Sequence, residues 1–371
     1  MGNVRRVGIA AAAAAAPLGL AYRFALAYRA RAGYPRRRPP LVTPVELGLP
    51  FESTVVPSGA LELPAWFIPA RDGAPGPGVV LVHGWESARD RTLPLALFLH
   101  AAGFHCLAFD VTGNGANPAE ALPLSAGEFG ADAAAAVDVL ASRPEVTQVA
   151  IVGHSMGAIG SLLAAAGDPR VKAVVATSGP ADPTLLTRQT FRLARLPIPD
   201  PIAYPLAWLT TRVYLRPRGH EVEDISASAA AARYRGPLLL VHGDEDAVVP
   251  LAHLDRLAAA ARGGRAGEPD PAPIETLVVA GGQHSWLYED PGYRATVARF
   301  LTEAMGGPLA AEEAALLAAA TPSERIADLE QQFAAIEDTV GGVRTLVRVA
   351  LPGATRPVIS AGEPADAPDP R

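Results

Sequence analysis

Three observations predict an α/β chain: a mostly parallel, doubly wound sheet with an inserted helical cap and extra C-terminal helices. Short apolar runs alternate with helix-like stretches along residues 45–305, the rhythm of a strand–helix repeat. Hydrophobic residues make up 49% of the 371, enough for a core on both faces of a sheet. A Gly-x-Ser-x-Gly segment at Gly153–Gly157 sits where a short apolar run passes into an Ala/Leu-rich one.

The elements follow in order. Residues 51–56 and 63–68 read as two strands joined by a turn at Pro57-Ser58-Gly59. Residues 79–82 form a short apolar strand, and 93–102 a helix stopped by Gly103. Residues 105–109 are the next strand. Ser125, with Glu128 three residues on, caps a helix that Pro144 ends. A strand at 149–152 leads into a helix reaching Ala166. Residues 171–176, 238–241 and 274–279 are further strands, with a helix at 251–261 before the last. A helix runs from Asp290-Pro291 to Met305. Residues 180–234 separate two strands by far more than one helix needs. With Phe191, Tyr204, Trp208 and Tyr214 among prolines, that stretch reads as a cap over one end of the sheet. From Gly306 two helical pieces follow. The second opens with the N-cap Thr321-Pro322-Ser323-Glu324 and lines Ile326, Leu329, Phe333 and Ile336 on one face. The expected units are a leader and Pro-rich linker (1–44), the α/β body (45–305, cap about 180–234), a C-terminal helical extension (306–351) and a disordered tail (352–371).

The leader admits three readings. Arg5 and Arg6 precede an apolar run over 7–22. Arg23 interrupts it, and Arg29, Arg31 and Arg36 to Arg38 follow. As a single membrane anchor, the arginine excess on its far side would put the body in the cytoplasm. As a signal peptide, Ala25-Leu26-Ala27 offers a cleavage site, and the body is exported. As a surface or disordered leader, it implies neither. Membrane association through this segment is the leading expectation for localisation.

Composition excludes several classes. The formal charge of −6 argues against a nucleic-acid partner, which calls for a basic stripe. One cysteine, Cys106, rules out a disulfide framework and a multi-thiolate metal site. No cluster has metal-ligand spacing and no glycine-rich loop has a nucleotide-binding form, so neither metal nor cofactor is expected. Oligomeric state is left open.

The chemistry centres on Gly153-His154-Ser155-Met156-Gly157. A strand before it and a helix after it are the setting of a nucleophile elbow, a turn so tight that only glycines fit two residues either side. Serine is a poor nucleophile until a base takes its proton, and the base needs an orienting acid. After two later strands come His242-Gly-Asp-Glu-Asp246-Ala-Val-Val-Pro250 and Gly281-Gly-Gln-His284. Ser155, Asp246 and His284 thus occur in the order Ser, Asp, His, each past the carboxyl end of a strand. Asp182, after an intervening strand, is the reserve acid.

Together with His83-Gly84-Trp85 and Asp110-Val-Thr-Gly-Asn-Gly115, these segments resemble the α/β-hydrolase superfamily over residues 45–305. With its apolar leader the chain is similar to the membrane-anchored, BEM46-like and serine-aminopeptidase-like groups. The resemblance implies that Ser155, Asp246 and His284 are the catalytic triad, with Asp244 two residues too early to be the acid. It implies that the backbone N–H groups of Trp85 and Met156 form the oxyanion hole. The Asp110 segment departs from the family's Asp-x-Arg-Gly-x-Gly: Thr112 replaces the arginine and Asn114 holds the variable position.

Other polar residues have plainer readings. His83 shapes the oxyanion loop, His154 points away from the chemistry, His242 is structural, and His253 and Glu86 are solvated. The expected function is a serine hydrolase cleaving a carboxylic ester, amide or thioester through an acyl-enzyme, with an apolar acyl pocket under the cap. Alternatives are an acyltransferase or peptidase on the same fold, or a non-catalytic membrane-tethered scaffold.

Overall fold

The computed structural model describes residues 2–323, with side chains from residue 16. It opens with the long helix α1 (Gly2–Ala32). A single sheet then runs β1 (Glu52–Ser58), β2 (Leu61–Ile68), β3 (Gly76–Val82), β4 (His105–Phe109), β5 (Val146–His154), β6 (Val171–Thr177), β7 (Leu238–Gly243) and β8 (Ile274–Val279) in chain order. Their spatial order is β1-β2-β4-β3-β5-β6-β7-β8. The first two strands form an antiparallel edge, and every pairing from β4 onward is parallel. This is the predicted α/β architecture, and each predicted strand is present.

Alternation along the strands sorts the core into two layers. Val80 and Val82 of β3, Ile151 of β5 and Val174 of β6 face α3 (Ala126–Ala141), α4 (Met156–Gly167) and α8 (Ala252–Gly264). Val79, Leu81, Ala150 and Val175 face the other way, toward α2 (Leu93–Ala101) and α9 (Pro291–Met305). Central strands are apolar throughout because both faces are covered. Ser125 caps α3 through the Gly127 N–H, and the Glu128 carboxylate returns to the Ser125 N–H, the reciprocal cap read from the sequence.

The segment between β6 and β7 divides in two. Helices α5 (Pro183–Leu193) and α6 (Asp200–Leu215) pack on each other and on α1. By contrast α7 (Ala227–Arg233) packs on α4 and α8, in the helical layer over the sheet. The cap proper is therefore α5 and α6.

The second half of α1 packs into the body instead of standing apart as a leader. Phe24, Ala25 and Tyr28 are buried, with Phe24 and Tyr28 in a cluster with Phe191, Ala194 and Ala207 of the cap region. Among the described residues no helix is long and apolar enough to cross a membrane, so the expected anchoring span finds no support. Its apolar face at 24–28 is occupied by protein.

The first C-terminal piece is α10 (Ala311–Ala320), packed on α9 and α2. The second, predicted from Thr321, and the tail 352–371 lie outside the described residues beyond Ser323. Arg294 of α9 fixes α10 in place. Its buried guanidinium donates to the carbonyls of Ala318 (3.0 Å) and Ala319 (2.7 Å) of α10, and to Tyr288 (2.8 Å) and Glu289 (2.8 Å). Hydrogen bonds from a charged donor contribute about 1.5–3 kcal/mol, and orphaned buried carbonyls cost more than exposed ones. Arg294→Leu should therefore lower stability by about 2–3 kcal/mol. A urea midpoint equal to that of the parent protein would show that α10 is not held this way.

Candidate active site

The end of β5 delivers the serine. Ser155 stands at φ 55°, ψ −117°, a conformation that costs a non-glycine residue about 1–3 kcal/mol. Surrounding structure imposes it. The Ser155 N–H donates to the Thr177 carbonyl of β6 at 2.9 Å. The first turn of α4 lies so close to β3 that a Cβ on Gly157 would overlap the Val82 carbonyl, and one on Gly153 would overlap the Gly157 carbonyl. The glycine spacing read in the sequence is this close approach.

Ser155, His284 and Asp246 come together as one hydrogen-bonded chain. His284 Nε2 lies 3.0 Å from Ser155 Oγ, and His284 Nδ1 lies 2.8 Å from Asp246 Oδ2. With Nδ1 donating to the carboxylate, Nε2 is left as the acceptor facing the serine hydroxyl. The Asp246 carboxylate is fully enclosed. Its Oδ1 accepts from the Val248 N–H (2.9 Å) and the Val249 N–H (2.7 Å). Burial works to raise its pKa, but hydrogen bonds from His242, His284 and the backbone outweigh burial and hold it well below the usual carboxylate range.

Neighbouring acids are engaged elsewhere. Asp244 Oδ1 accepts from the Gly281 N–H at 2.7 Å, tying the loop after β7 to the loop that carries His284. Asp182 caps α5, accepting from Thr184 (2.8 Å) and Leu185 (3.0 Å), so it cannot serve as the reserve acid.

Four further histidines stand around the site, and two of them, His154 and His242, touch this chain. His154 Nε2 lies 2.7 Å from the His284 carbonyl, and the two rings sit 5.0 Å apart. Burial and the neighbouring His284 push the His154 pKa down to about 4, so it is neutral near pH 7. His242 Nε2 lies 2.7 Å from the Val249 carbonyl and 3.3 Å from Asp246 Oδ2. His83 accepts from the Val111 N–H (3.0 Å) and pairs through Nδ1 with its neighbour's carbonyl at Gly84 (2.7 Å). His253 is buried rather than solvated, because it accepts from the Ala181 N–H at the start of the cap.

The loop that carries Trp85 is pinned beside the serine. A Cβ on Gly84 would stand 3.3 Å from Ser155 Cβ. Asp110 accepts from the Arg89 N–H (2.7 Å) and the Ala116 N–H (2.9 Å), and forms an ion pair with the Arg89 guanidinium. Arg89 thus supplies the cation that Thr112 does not; Thr112 instead donates its N–H to Asp132 (2.7 Å). Asn114 Oδ1 accepts from the Glu86 N–H at 3.0 Å, and Glu86 accepts from the Arg36 N–H at 3.1 Å. Arg89 did not stand out in the sequence, and Asn114 did so only as the variable position of the Asp110 segment.

Trp85 and Met156 both line a cavity of about 220 Å³ that opens on Ser155 beneath the cap. Ile159, Leu186, Leu215, Ile225 and Val248 give it apolar walls. Its polar lining groups are engaged with protein: Tyr28 with Thr190 (2.9 Å), Thr211 with Thr187 (2.9 Å), and Tyr214 with the Leu124 carbonyl (2.6 Å). None of its lining residues is charged. Among the described residues no cluster of side chains is arranged to hold a metal ion.

The chain is similar to several known proteins. A family model described as "Serine aminopeptidase, S33" matches residues 73–215. Two uncharacterized proteins of Mycobacterium tuberculosis, from strains CDC 1551 / Oshkosh and H37Rv, are each 30% identical over 268 residues, spanning 69% of this chain and 83% of theirs. An esterase of Pyrococcus furiosus superposes with a TM-score of 0.57 at 21% identity, covering 74% of this chain and 98% of its own. A puromycin-hydrolyzing peptidase of Mycobacterium tuberculosis gives 0.53 at 21% identity over 72% of this chain and 41% of its own. At such identities the likeness to solved structures is one of fold.

The His154 environment predicts an acid-side loss of stability. Its ordinary pKa of 6.5 falls to about 4 on folding. Between those values the unfolded chain binds a proton that the folded chain refuses, so stability falls as pH drops through this window. The contribution is at most about 3 kcal/mol. His154→Gln should flatten the dependence of the urea midpoint on pH from 6.5 down to 4; an unchanged slope would exclude His154 as its source.

Proposed function

The chain belongs to the α/β-hydrolase superfamily, in one family with the two mycobacterial proteins, and from that premise we propose that it is a serine hydrolase cleaving carboxylic esters of apolar acids. The observation that carries the reading is the Ser155–His284–Asp246 chain on a strained elbow at the mouth of an apolar cavity.

In this mechanism Ser155 Oγ attacks the acyl carbonyl while His284 Nε2 takes its proton. Asp246 keeps His284 in the right tautomer and stabilises the imidazolium that forms. The oxyanion of the tetrahedral intermediate takes hydrogen bonds from the N–H groups of Met156 and Trp85, at positions fixed by the start of α4 and by the pinned loop. His284 then protonates the leaving alkoxide, and the alcohol departs. Water enters, gives its proton to His284, and attacks the acyl-enzyme. Collapse returns the proton to Ser155 and releases the carboxylic acid.

What favours an ester over an aminopeptidase's substrate is the uncharged cavity. An aminopeptidase needs a carboxylate to hold the substrate's ammonium group, and none of the cavity's lining residues supplies one. An acyl chain asks only for apolar walls, which this cavity has. A thioesterase or acyltransferase would use the same residues and differ only in the leaving or accepting group.

Four variants test the assignment. Ser155→Ala should abolish covalent labelling by a fluorophosphonate and leave the fold intact. His284→Ala should lose on the order of 10⁴–10⁶ in kcat, about as much as Ser155→Ala, because triad members act as a unit. Asp246→Asn should lose on the order of 10⁴ on p-nitrophenyl esters through the wrong histidine tautomer, and Asp182→Asn far less. Labelling that persists in Ser155→Ala, or a large loss at Asp182 with near-normal Asp246→Asn, would overturn these roles.

A further inference from the structure

The cavity beside Ser155 is not closed by the hydrolase body and cap alone. Tyr28 and Ala32 of α1 line it together with Ser155 and Met156. From this we propose that the end of α1 is the far wall of the acyl-binding cavity, and that Tyr28 and Ala32 set the length of acyl chain the protein accepts. The inference rests on the serine-hydrolase reading and adds to it the part of the chain that measures the substrate.

The wall is rigid. Tyr28 Oη is bonded to Thr190 Oγ1 at 2.9 Å, and its ring meets Phe191 and Tyr214 edge-on at 5.9 Å and 6.2 Å. Phe24, one turn earlier, meets the same Phe191 ring at 5.5 Å. The helix end is tied down on the other side as well. Arg29 donates to the Val213 carbonyl (3.1 Å), Tyr214 Oη reaches the Ala32 carbonyl (3.3 Å), and the Leu124 N–H donates to the Gly33 carbonyl (2.8 Å). A side chain so held cannot swing aside for a longer substrate.

The dimensions follow from the volume. An apolar cavity of about 150 Å³ takes up a benzene molecule. The cavity of about 220 Å³ then has room for an acyl chain of medium length, and Tyr28 and Ala32 are among the residues that line it. Ala32 presents the smaller side chain of the two, so it is the place where added bulk shortens the cavity. Removal of the Tyr28 ring lengthens it.

The test uses full-length protein and alkyl fluorophosphonates bearing ethyl, octyl and hexadecyl chains, with labelling rates at Ser155 read by mass spectrometry. These reagents report the acyl site whether the natural leaving group is an alcohol, an amine or a thiol. Rates are compared as ratios within one sample, so unfolded molecules, which do not label, drop out. Octyl should be preferred by the parent protein. One methylene too many in a hydrophobic pocket costs about tenfold or more. Ala32→Leu should therefore cut the octyl-to-ethyl ratio about tenfold, and Tyr28→Ala should raise the hexadecyl-to-octyl ratio about tenfold. Tyr28→Phe keeps the ring and should keep the parent ratios. If Ser155 of the parent protein labels with the expected preference while Ala32→Leu and Tyr28→Ala both leave the ratios within twofold, α1 is not the measuring wall. If the parent protein labels with none of the three, the hydrolase reading itself fails.

Discussion

The arrangement depends on one close approach, that of the first turn of α4 to the end of β3. Because the Gly157 backbone lies against the Val82 carbonyl, the chain leaving β5 must reverse within a single residue, and that residue is Ser155 at positive φ. The strain, about 1–3 kcal/mol, cannot relax while β3, β5 and β6 stay paired. The hydroxyl is therefore presented at the edge of the sheet by the hydrogen bonding of the sheet itself, and the loops that bring His284, Asp246 and Trp85 are built around a point that does not move.

Those loops are short of regular structure and are stiffened by polar side chains placed behind them. Asp244 joins the loop after β7 to the loop after β8. His154 holds the carbonyl of His284, and His242 holds that of Val249. Asp110 and Asn114 fasten the loop that carries Trp85. A neutral imidazole such as His154 suits this work. It supplies one donor and one acceptor, and no charge to disturb the Asp246–His284 pair.

What could be read in the sequence was whatever a local rule compels. Tight turns exclude side chains, so Gly153 and Gly157 were legible, and strand–helix alternation placed Ser155, Asp246 and His284 at strand ends in the right order. Arg89 was not legible as the partner of Asp110: it lies 21 residues away, and no spacing rule links two loops that meet only in three dimensions. His253 looked solvated in the first turn of a helix because nothing local reveals the Ala181 N–H above it. The N-terminal segment was ambiguous for a deeper reason. An apolar face at Phe24, Ala25 and Tyr28 has the same pattern whether it meets lipid or protein, and only the cap's Phe191 and Ala207 decide which.

The binding partners of α1 come late in the chain. Thr190 lies 162 residues beyond Tyr28, and Val213 lies 184 beyond Arg29. On a ribosome the helix emerges first and finds no place to rest until the cap has been made. Closing so long a loop has an entropic cost that is recovered only when both ends are already ordered. The strands β7 and β8, with Asp246 and His284 after them, emerge later still, so the helix can dock on the cap before the last of these groups is made. The far end of the chamber can therefore be built before Asp246 and His284 are in place at its mouth.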